Sequence, residues 1–348
     1  MTARRPPETT VVTGAAGWLG CALVAALSSE DGPGGAREGR IRALVLHPAD
    51  LPIVRALSER VEIHVGDVTD AGVLGRLLRG AQGADVLHCA GVIHPRRVRE
   101  FETVNVAGVA ALVDAARRAG VRRLVHVSSN SPFGLNPTAA DAFRAEEPFN
   151  PHMGYGRSKM RAEIVVREAH GDGLETTIVR PPWFYGPHQP ARQTRFLRAL
   201  RRGRFPLLGD GRNRRSMVYI DNLVDGLVRA ELEERAAGRA YWIADRRPYQ
   251  MREIVDTARR ALADEGLAIS GSVPRLPGLL ADVAERADAL LQGHDRYVQE
   301  LHVLAEMNKT IACDISRAEV ELGYAPRVEL YEGLRRSVRW CLARGVAL

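Results

Sequence analysis

Three glycines at residues 14, 17 and 20 stand between a β-branched run, Thr9 to Thr13, and an apolar stretch, Leu19 to Ser28. No other feature constrains the fold as strongly. Gly14 lets a strand turn sharply, Gly17 lets a backbone approach a pyrophosphate, and Gly20 lets a helix pack closely on a strand. The N–H groups at the start of that helix, from Trp18 and Leu19, then face the phosphates. A strand–glycine turn–helix unit of this kind needs a parallel sheet to sit in, and the rest of the chain supplies one. Short apolar runs recur at Arg42–Leu46, Glu62–Val65, Ala84–Ala90, Leu124–Ser128 and Thr176–Val179. Helical patterns separate the later runs: Gly72–Leu78, Glu102–Ala119 and Tyr155–Ala169. Strands alternating with longer helices indicate βαβ units, hence an α/β protein with a Rossmann-type doubly wound parallel sheet.

After Arg180 the pattern changes. Pro181, Pro182, Pro187 and Pro190 break the chain into loops, and helical patterns resume at Arg195–Arg202, Leu223–Arg235, Met251–Ala263 and Leu279–Leu291. The division expected is a nucleotide-binding domain over residues 1–180, which the chain re-enters around 217–245. Residues 181–348 mainly form a smaller, helical C-terminal substrate lobe.

Charge suggests one alternative and then removes it. The 348 residues carry a formal net charge of +7, yet lysine occurs only at 159 and 309 and all other basic residues are arginine, spread along the chain. Arginine is dense only between Arg198 and Arg215. A nucleic-acid groove calls for a basic stripe, so no nucleic-acid partner is expected. No apolar run is long enough to span a bilayer, and Met1 to Glu8 lacks the apolar core of a leader. A membrane partner is therefore not expected. Four cysteines without CxxC spacing offer no zinc site, no metal is expected, and a reducing, cytoplasmic setting fits them.

Residues with chemistry collect at strand ends. Asp67-Val68 follows the third strand, where a carboxylate can accept from an adenine amino group or cap a helix. Ala90 and Gly91 close the fourth strand with small residues suited to contact with a ribose and nicotinamide. The second strand ends at Leu46-His47 without the acidic residue that binds adenosine ribose hydroxyls. With Arg42 and Arg55 near, His47 at that place tilts the expected cofactor from NAD towards NADP. Tyr155 and Lys159 lie four residues apart, on one helix face. An ammonium beside the phenol would favour proton exchange near neutral pH. Ser128-Ser129 ends the fifth strand at the carboxyl edge of the sheet, where a hydroxyl can bond the same substrate oxygen.

These segments together resemble the extended short-chain dehydrogenases/reductases, which include NAD-dependent epimerases/dehydratases and 3β-hydroxysteroid dehydrogenase-like enzymes. The resemblance spans nearly the whole chain. It rests on TGAAGWLG (13–20), Asp67-Val68, HCAG (88–91), NVAG with Asn105, VSSNSPFG (127–134), YGRSK (155–159), RPPWFYGP (180–187), GDGRNRR (209–215) and VYIDN (218–222). It implies Ser129, Tyr155 and Lys159 as catalytic residues and a cofactor site that also takes in Asn105 and Pro182. It also implies a small-molecule substrate touching Ser129, Asn130, Trp183 and Arg215. A homodimer is expected.

Departures from the family pattern narrow the reaction. The family's dehydratases carry an Asp-Glu pair where Asn130-Ser131 stands here. Its epimerases usually carry Asn where Trp183 stands, although Gly209-Asp210-Gly211 with Arg215 resembles their phosphate-gripping segment. Asn222 and the long amphipathic insertion Val273–Met307 favour a dehydrogenase or ketoreductase. That insertion is expected to roof an apolar pocket with Leu279, Leu280, Val283, Ala287 and Leu291. The expected reaction is hydride transfer between NAD(P) and a secondary alcohol or ketone. The alternatives are a nucleotide-sugar 4-epimerase and a non-catalytic NADP-binding regulator.

Overall fold

The computed structural model describes residues 4–348. In chain order its first elements are β1 (Thr9–Thr13), α1 (Trp18–Leu27), β2 (Arg40–Val45), α2 (Leu51–Arg55), β3 (Val61–Val65), α3 (Ala71–Leu77) and β4 (Asp85–His88). Then follow α4 (Gly108–Arg118), β5 (Arg123–Val127), α5 (Met153–Glu168), β6 (Glu175–Arg180), β7 (Trp183–Tyr185) and α6 (Ala191–Arg201). Short strands come next: β8 (Leu207–Leu208), β9 (Arg214–Arg215) and β10 (Met217–Tyr219), then α7 (Ile220–Leu232), β11 (Ala240–Trp242) and β12 (Tyr249–Gln250). The chain closes with α8 (Met251–Asp264), β13 (Arg275–Leu276), α9 (Leu279–Gly293), α10 (Gln299–Glu306), α11 (Ser316–Leu322) and α12 (Leu330–Ala343).

Seven strands form one sheet in the order β11-β6-β5-β4-β1-β2-β3, and every pairing in it is parallel. This is the doubly wound arrangement that the alternating pattern predicts. Buried side chains from α1 and α7 cover one face, and those from α3, α4 and α5 cover the other. Apolar layers on both faces explain why the central strands read as continuous Val/Leu/Ile runs rather than alternating ones.

Topology sets the place of a site. The chain leaves β1 towards β2 and β3, then returns to β4 on the other side of β1. Two connections that diverge in this way leave a crevice at the carboxyl ends of β1 and β4. The Gly14–Gly20 turn and the Cys89–Gly91 segment both follow those ends. Beyond β6, β11 adds to the sheet edge through β6, and α7 lies against α1, β5 and β6.

One helical expectation divides in two. The stretch Glu102–Ala119 reads as a single helix, but residues Phe101–Ala107 take π-helical geometry before α4 begins. Asn105 lies in that widened turn, and its side chain has left the helix to bond elsewhere. Among the described residues no helix is long and apolar enough to cross a membrane.

Candidate active site

The glycine turn has the geometry its spacing demands. Gly14 has φ +67°, and a Cβ there would meet the Ala90 backbone nitrogen at 2.7 Å. A Cβ on Gly20 would lie 2.1 Å from the Gly14 carbonyl oxygen. Gly17 differs: a Cβ would have one neighbour within 4 Å, the Gly14 carbonyl oxygen at 3.2 Å. Gly14 and Gly20 are therefore held by packing, whereas Gly17 is exposed and keeps an approach to the backbone open. The first turn of α1 has no side-chain cap and no acidic residue, so its N–H donors await an external acceptor. That donor set fits the diphosphate of a dinucleotide.

Further cofactor candidates sort by what holds them. Trp18 donates from Nε1 to the Pro187 carbonyl at 2.7 Å and packs on Phe184 with ring centroids 4.7 Å apart. It ties the glycine turn to the segment after β7; Pro182, also buried, precedes that strand. Leu19 is buried in the core. Asp67 accepts from the Thr69 backbone and hydroxyl, both at 2.8 Å, through one oxygen. The cap of α3 is Asp70 rather than Asp67. Val68 is buried against Gly108. Asn105 is fully used: it bonds the Val92 N–H at 2.8 Å, the Val92 carbonyl at 2.9 Å and Ser158 at 3.1 Å. It thereby shapes the turn that carries Ala90 and Gly91.

The NADP tilt loses one of its supports. Arg42 points into the protein, donating to the carbonyls of Leu77 and Arg79 and to Glu62. It is 7% exposed and has no guanidinium face to spare for a ribose phosphate. A strand residue four positions before the turn has its side-chain direction set by the pleat, which the sequence argument did not weigh. His47 is exposed and starts a short turn over Pro48–Asp50.

Tyr155, Lys159 and Glu163 share one face of α5. Glu163 is buried and accepts from Ser128 Oγ at 2.6 Å and from Arg180 Nη2 at 2.7 Å. It pins the helix to the ends of β5 and β6, a positioning role that sequence reading missed because a lone Glu in a helix gives no signal. One turn back, Lys159 Nζ donates to the Val127 carbonyl at 2.9 Å, and a Cβ on Gly91 would lie 3.6 Å from it. Another turn back is Tyr155, with the Ser129 hydroxyl among the groups that act on its phenol. Ser129 also lies 3.3 Å from Ser131 Oγ, with Asn130 half-buried between them. Ser129 follows β5 at the carboxyl edge of the sheet, and α5 brings Lys159 to the same strand end through the Val127 carbonyl.

Their electrostatics correct one expectation. Burial pushes the Tyr155 phenol up to about 12, opposed by the Ser129 hydroxyl and the charge of Arg192. Lys159 is not among the groups that act on it; its ammonium donates to the Val127 carbonyl. Burial in turn pushes Lys159 down to about 8, with Glu163 and Cys89 acting the other way. Tyr155 is thus a proton donor at neutral pH, and Lys159 retains its charge only below about pH 8. Beneath Lys159, His88 and His126 stack with ring centroids 5.3 Å apart. Burial lowers both, His88 to about 3, so both are neutral at pH 7.

Over the site lie α9 and α10, which pack on each other, with α9 also touching α5. Here the expectation of an apolar roof fails. Leu279, Leu280 and Val283 are 68%, 42% and 55% exposed, and Ala287 and Leu291 are half-buried. Facing inward instead are Asp288 and Gln292. Gln292 accepts from the Gly154 N–H at 3.0 Å and donates to Asp288 at 2.9 Å, while His302 of α10 bonds Asp288 at 2.7 Å. Polar backbone at the start of α5 requires polar partners above it, so the helix turns that face down. Arg215 reaches this roof as well, donating to the Glu306 carbonyl at 2.6 Å with the Glu306 carboxylate at 3.6 Å. Trp183 packs edge-on against Phe196 at 5.3 Å. Arg192, Tyr297, His94 and Glu306 also surround Tyr155 or its neighbours. No motif marks them, and only folding gathers them.

Comparisons with known proteins give the family. The model of the NAD-dependent epimerase/dehydratase family matches residues 10–244. The protein y4nL of Sinorhizobium fredii is 46% identical, over 96% of this chain and 95% of its own length. A dTDP-glucose 4,6-dehydratase of Streptomyces griseus is 31% identical, over 95% of this chain and 93% of its own. The solved structure of DesIV, a dTDP-glucose 4,6-dehydratase of Streptomyces venezuelae with NAD bound, superposes with a TM-score of 0.74 at 29% identity, covering 97% of this chain and 98% of that one. The chain belongs to the NAD-dependent epimerase/dehydratase family, within the extended short-chain dehydrogenases/reductases.

Proposed function

We propose that the protein is an NAD(P)-dependent oxidoreductase acting at a secondary alcohol or ketone of a small molecule. The observation that carries this reading is Lys159 of α5 bonded to the Val127 carbonyl at the end of β5, with Tyr155 one turn before it on the same helix and Ser129 two residues beyond Val127. When bound, the nicotinamide supplies or accepts a hydride. Tyr155, protonated at neutral pH, gives its proton to the substrate oxygen in the reductive direction, while Ser129 holds that oxygen by a second hydrogen bond. Lys159 lies beside Gly91, where it would reach the nicotinamide ribose. Gly17 and the Trp18 and Leu19 N–H groups would hold the diphosphate. Residues up to Arg180, with 217–245, serve as the nucleotide-binding domain; the remainder closes over the substrate. The working assembly is a homodimer.

Two neighbouring reactions have less support. Asn130 and Ser131 provide neither acid nor base where the resemblance puts the dehydratases' Asp-Glu pair, so loss of water has no proton donor there. An epimerase would use Arg215 to grip a diphosphate, but Arg215 is engaged by Glu306. The test is to mix the protein with NAD or NADP and candidate alcohols and follow the absorbance of the reduced nicotinamide. Net reduction of added cofactor is expected. Epimer formation without net change would transfer the assignment to the epimerase, and failure to bind either dinucleotide would end both readings. Substrate affinity gives a second check: Trp183→Asn should weaken it by removing stacking area, and Arg215→Ala should change it little.

A further inference from the structure

We propose that Gln292, on the roof helix α9, is a positioning residue for Tyr155: it caps the start of α5 from outside and fixes where that helix presents the phenol. The inference rests on the oxidoreductase reading above, in which Tyr155 is the acid, and adds a residue that acts on it through the backbone. The start of α5 needs such support. A first helical turn leaves N–H groups without a partner in the helix, and His152 before it supplies no side-chain cap. Met153, the first residue of α5, has φ +54°, in the left-handed region that residues other than glycine rarely adopt. A backbone held there persists only where its surroundings over-determine it.

Gln292 supplies that constraint from a distant part of the chain. Its Oε1 accepts from the Gly154 N–H at 3.0 Å, one residue after the strained Met153 and one before Tyr155. Its Nε2 donates to Asp288 at 2.9 Å, and the fully buried Asp288 also accepts from His302 Nδ1 at 2.7 Å. Both ends of the amide are thereby fixed. Turned over, it would set its NH₂ against the Gly154 N–H and its oxygen against a carboxylate. Packing leaves little slack. A Cβ on Gly154 would lie 3.0 Å from Val98 Cγ1, 3.1 Å from Gln292 Oε1 and 3.4 Å from Phe101 Cδ2. The Phe101 ring in turn lies 5.6 Å from the Tyr155 ring. Later turns of α5 are held from the sheet, by Lys159 on Val127 and by Glu163 on Ser128 and Arg180. The turn that carries Tyr155 is held from the roof.

The test compares the full-length wild type with two variants. Gln292→Met keeps the length of the side chain and removes both hydrogen bonds, whereas Gln292→Glu keeps an acceptor for Gly154. In Gln292→Met, amide hydrogen exchange at Gly154 should quicken about tenfold, while amides in the middle of α5, such as that of Ala162, stay within about twofold. The fluorine NMR resonance of Tyr155 in fluorotyrosine-labelled protein, assigned by its loss in Tyr155→Phe, should shift or broaden. With an alcohol that the wild type oxidises, kcat should fall about 10- to 100-fold, with KM and NAD affinity within about twofold. Gln292→Glu should restore most of each property. The proposal is overturned if Gly154 exchange or the Tyr155 resonance is unchanged in Gln292→Met. It is also overturned if exchange quickens equally along all of α5, or if Gln292→Glu behaves like Gln292→Met. Failure of the wild type to bind NAD or NADP would remove the oxidoreductase reading alone; the exchange and resonance measurements need no ligand and still decide whether Gln292 places Tyr155.

Discussion

The floor and the roof of the crevice are built under different constraints. The floor consists of strand ends and the helices that follow them, where each side chain's direction is set by the pleat of a sheet buried on both faces. The roof is a pair of peripheral helices, α9 and α10, that touch the rest of the protein on one side. In the floor, residue type predicts position: Gly14 and Gly20 stand where a Cβ would strike backbone, and Lys159 reaches the end of the strand that Ser129 follows. In the roof, residue type misleads. Leu279, Val283 and Leu290 are outside, and Asp288 is fully buried. A helix over an apolar core turns its leucines down, whereas a helix over the polar start of α5 turns down the groups that can bond it.

That contrast can be tested from the strongest effect to the weakest. Tyr155→Phe keeps the ring and removes the proton, so turnover should fall by roughly 10²- to 10⁴-fold while cofactor affinity persists; retained turnover would show that another group is the acid. Within the glycine turn, Gly20→Ala forces an atom against the Gly14 carbonyl and should destabilise the fold by about 2–3 kcal/mol. Gly17→Val, in contrast, should lose cofactor affinity with a much smaller change in urea midpoint. Equal destabilisation by the two would mean that Gly17 is a packing residue as well.

In the roof, Asp288→Ala removes the acceptor shared by His302 and Gln292 and should cost about 2 kcal/mol in urea unfolding. The buried histidines make a pH prediction. His88 and His126 stay neutral in the folded state, whereas the unfolded chain protonates them below about pH 6.5. Stability is therefore lost on acidification, by about 1.4 kcal/mol per pH unit for each. Urea melts between pH 7 and pH 5 should show a shallower acid limb for His126→Phe, and an unchanged slope would mean that the imidazole is charged in the fold. Leu290→Gln, on the outer face of α9, should alter stability by less than about 0.5 kcal/mol and leave substrate affinity intact. A large loss of affinity there would restore the apolar roof.

Much of the floor can be read before folding because its signals are local. A glycine turn, a strand end and two residues one helical turn apart are each defined by neighbours in sequence, and right-handed parallel crossovers make the sheet doubly wound. These local rules determine the class of the protein, the place of the crevice and the group Ser129, Tyr155 and Lys159. The tertiary structure alone decides which charges are left over. Arg42, near the cofactor end by number, is consumed by Leu77, Arg79 and Glu62. Arg215, set in a phosphate-like segment, is consumed by Glu306. Arg192, in a stretch with no motif, has no ion-pair or side-chain hydrogen-bond partner among the described residues. An arginine reads the same anywhere in a sequence; its function depends on whether a carboxylate or carbonyl from a distant segment reaches it first, and that is set by long-range packing.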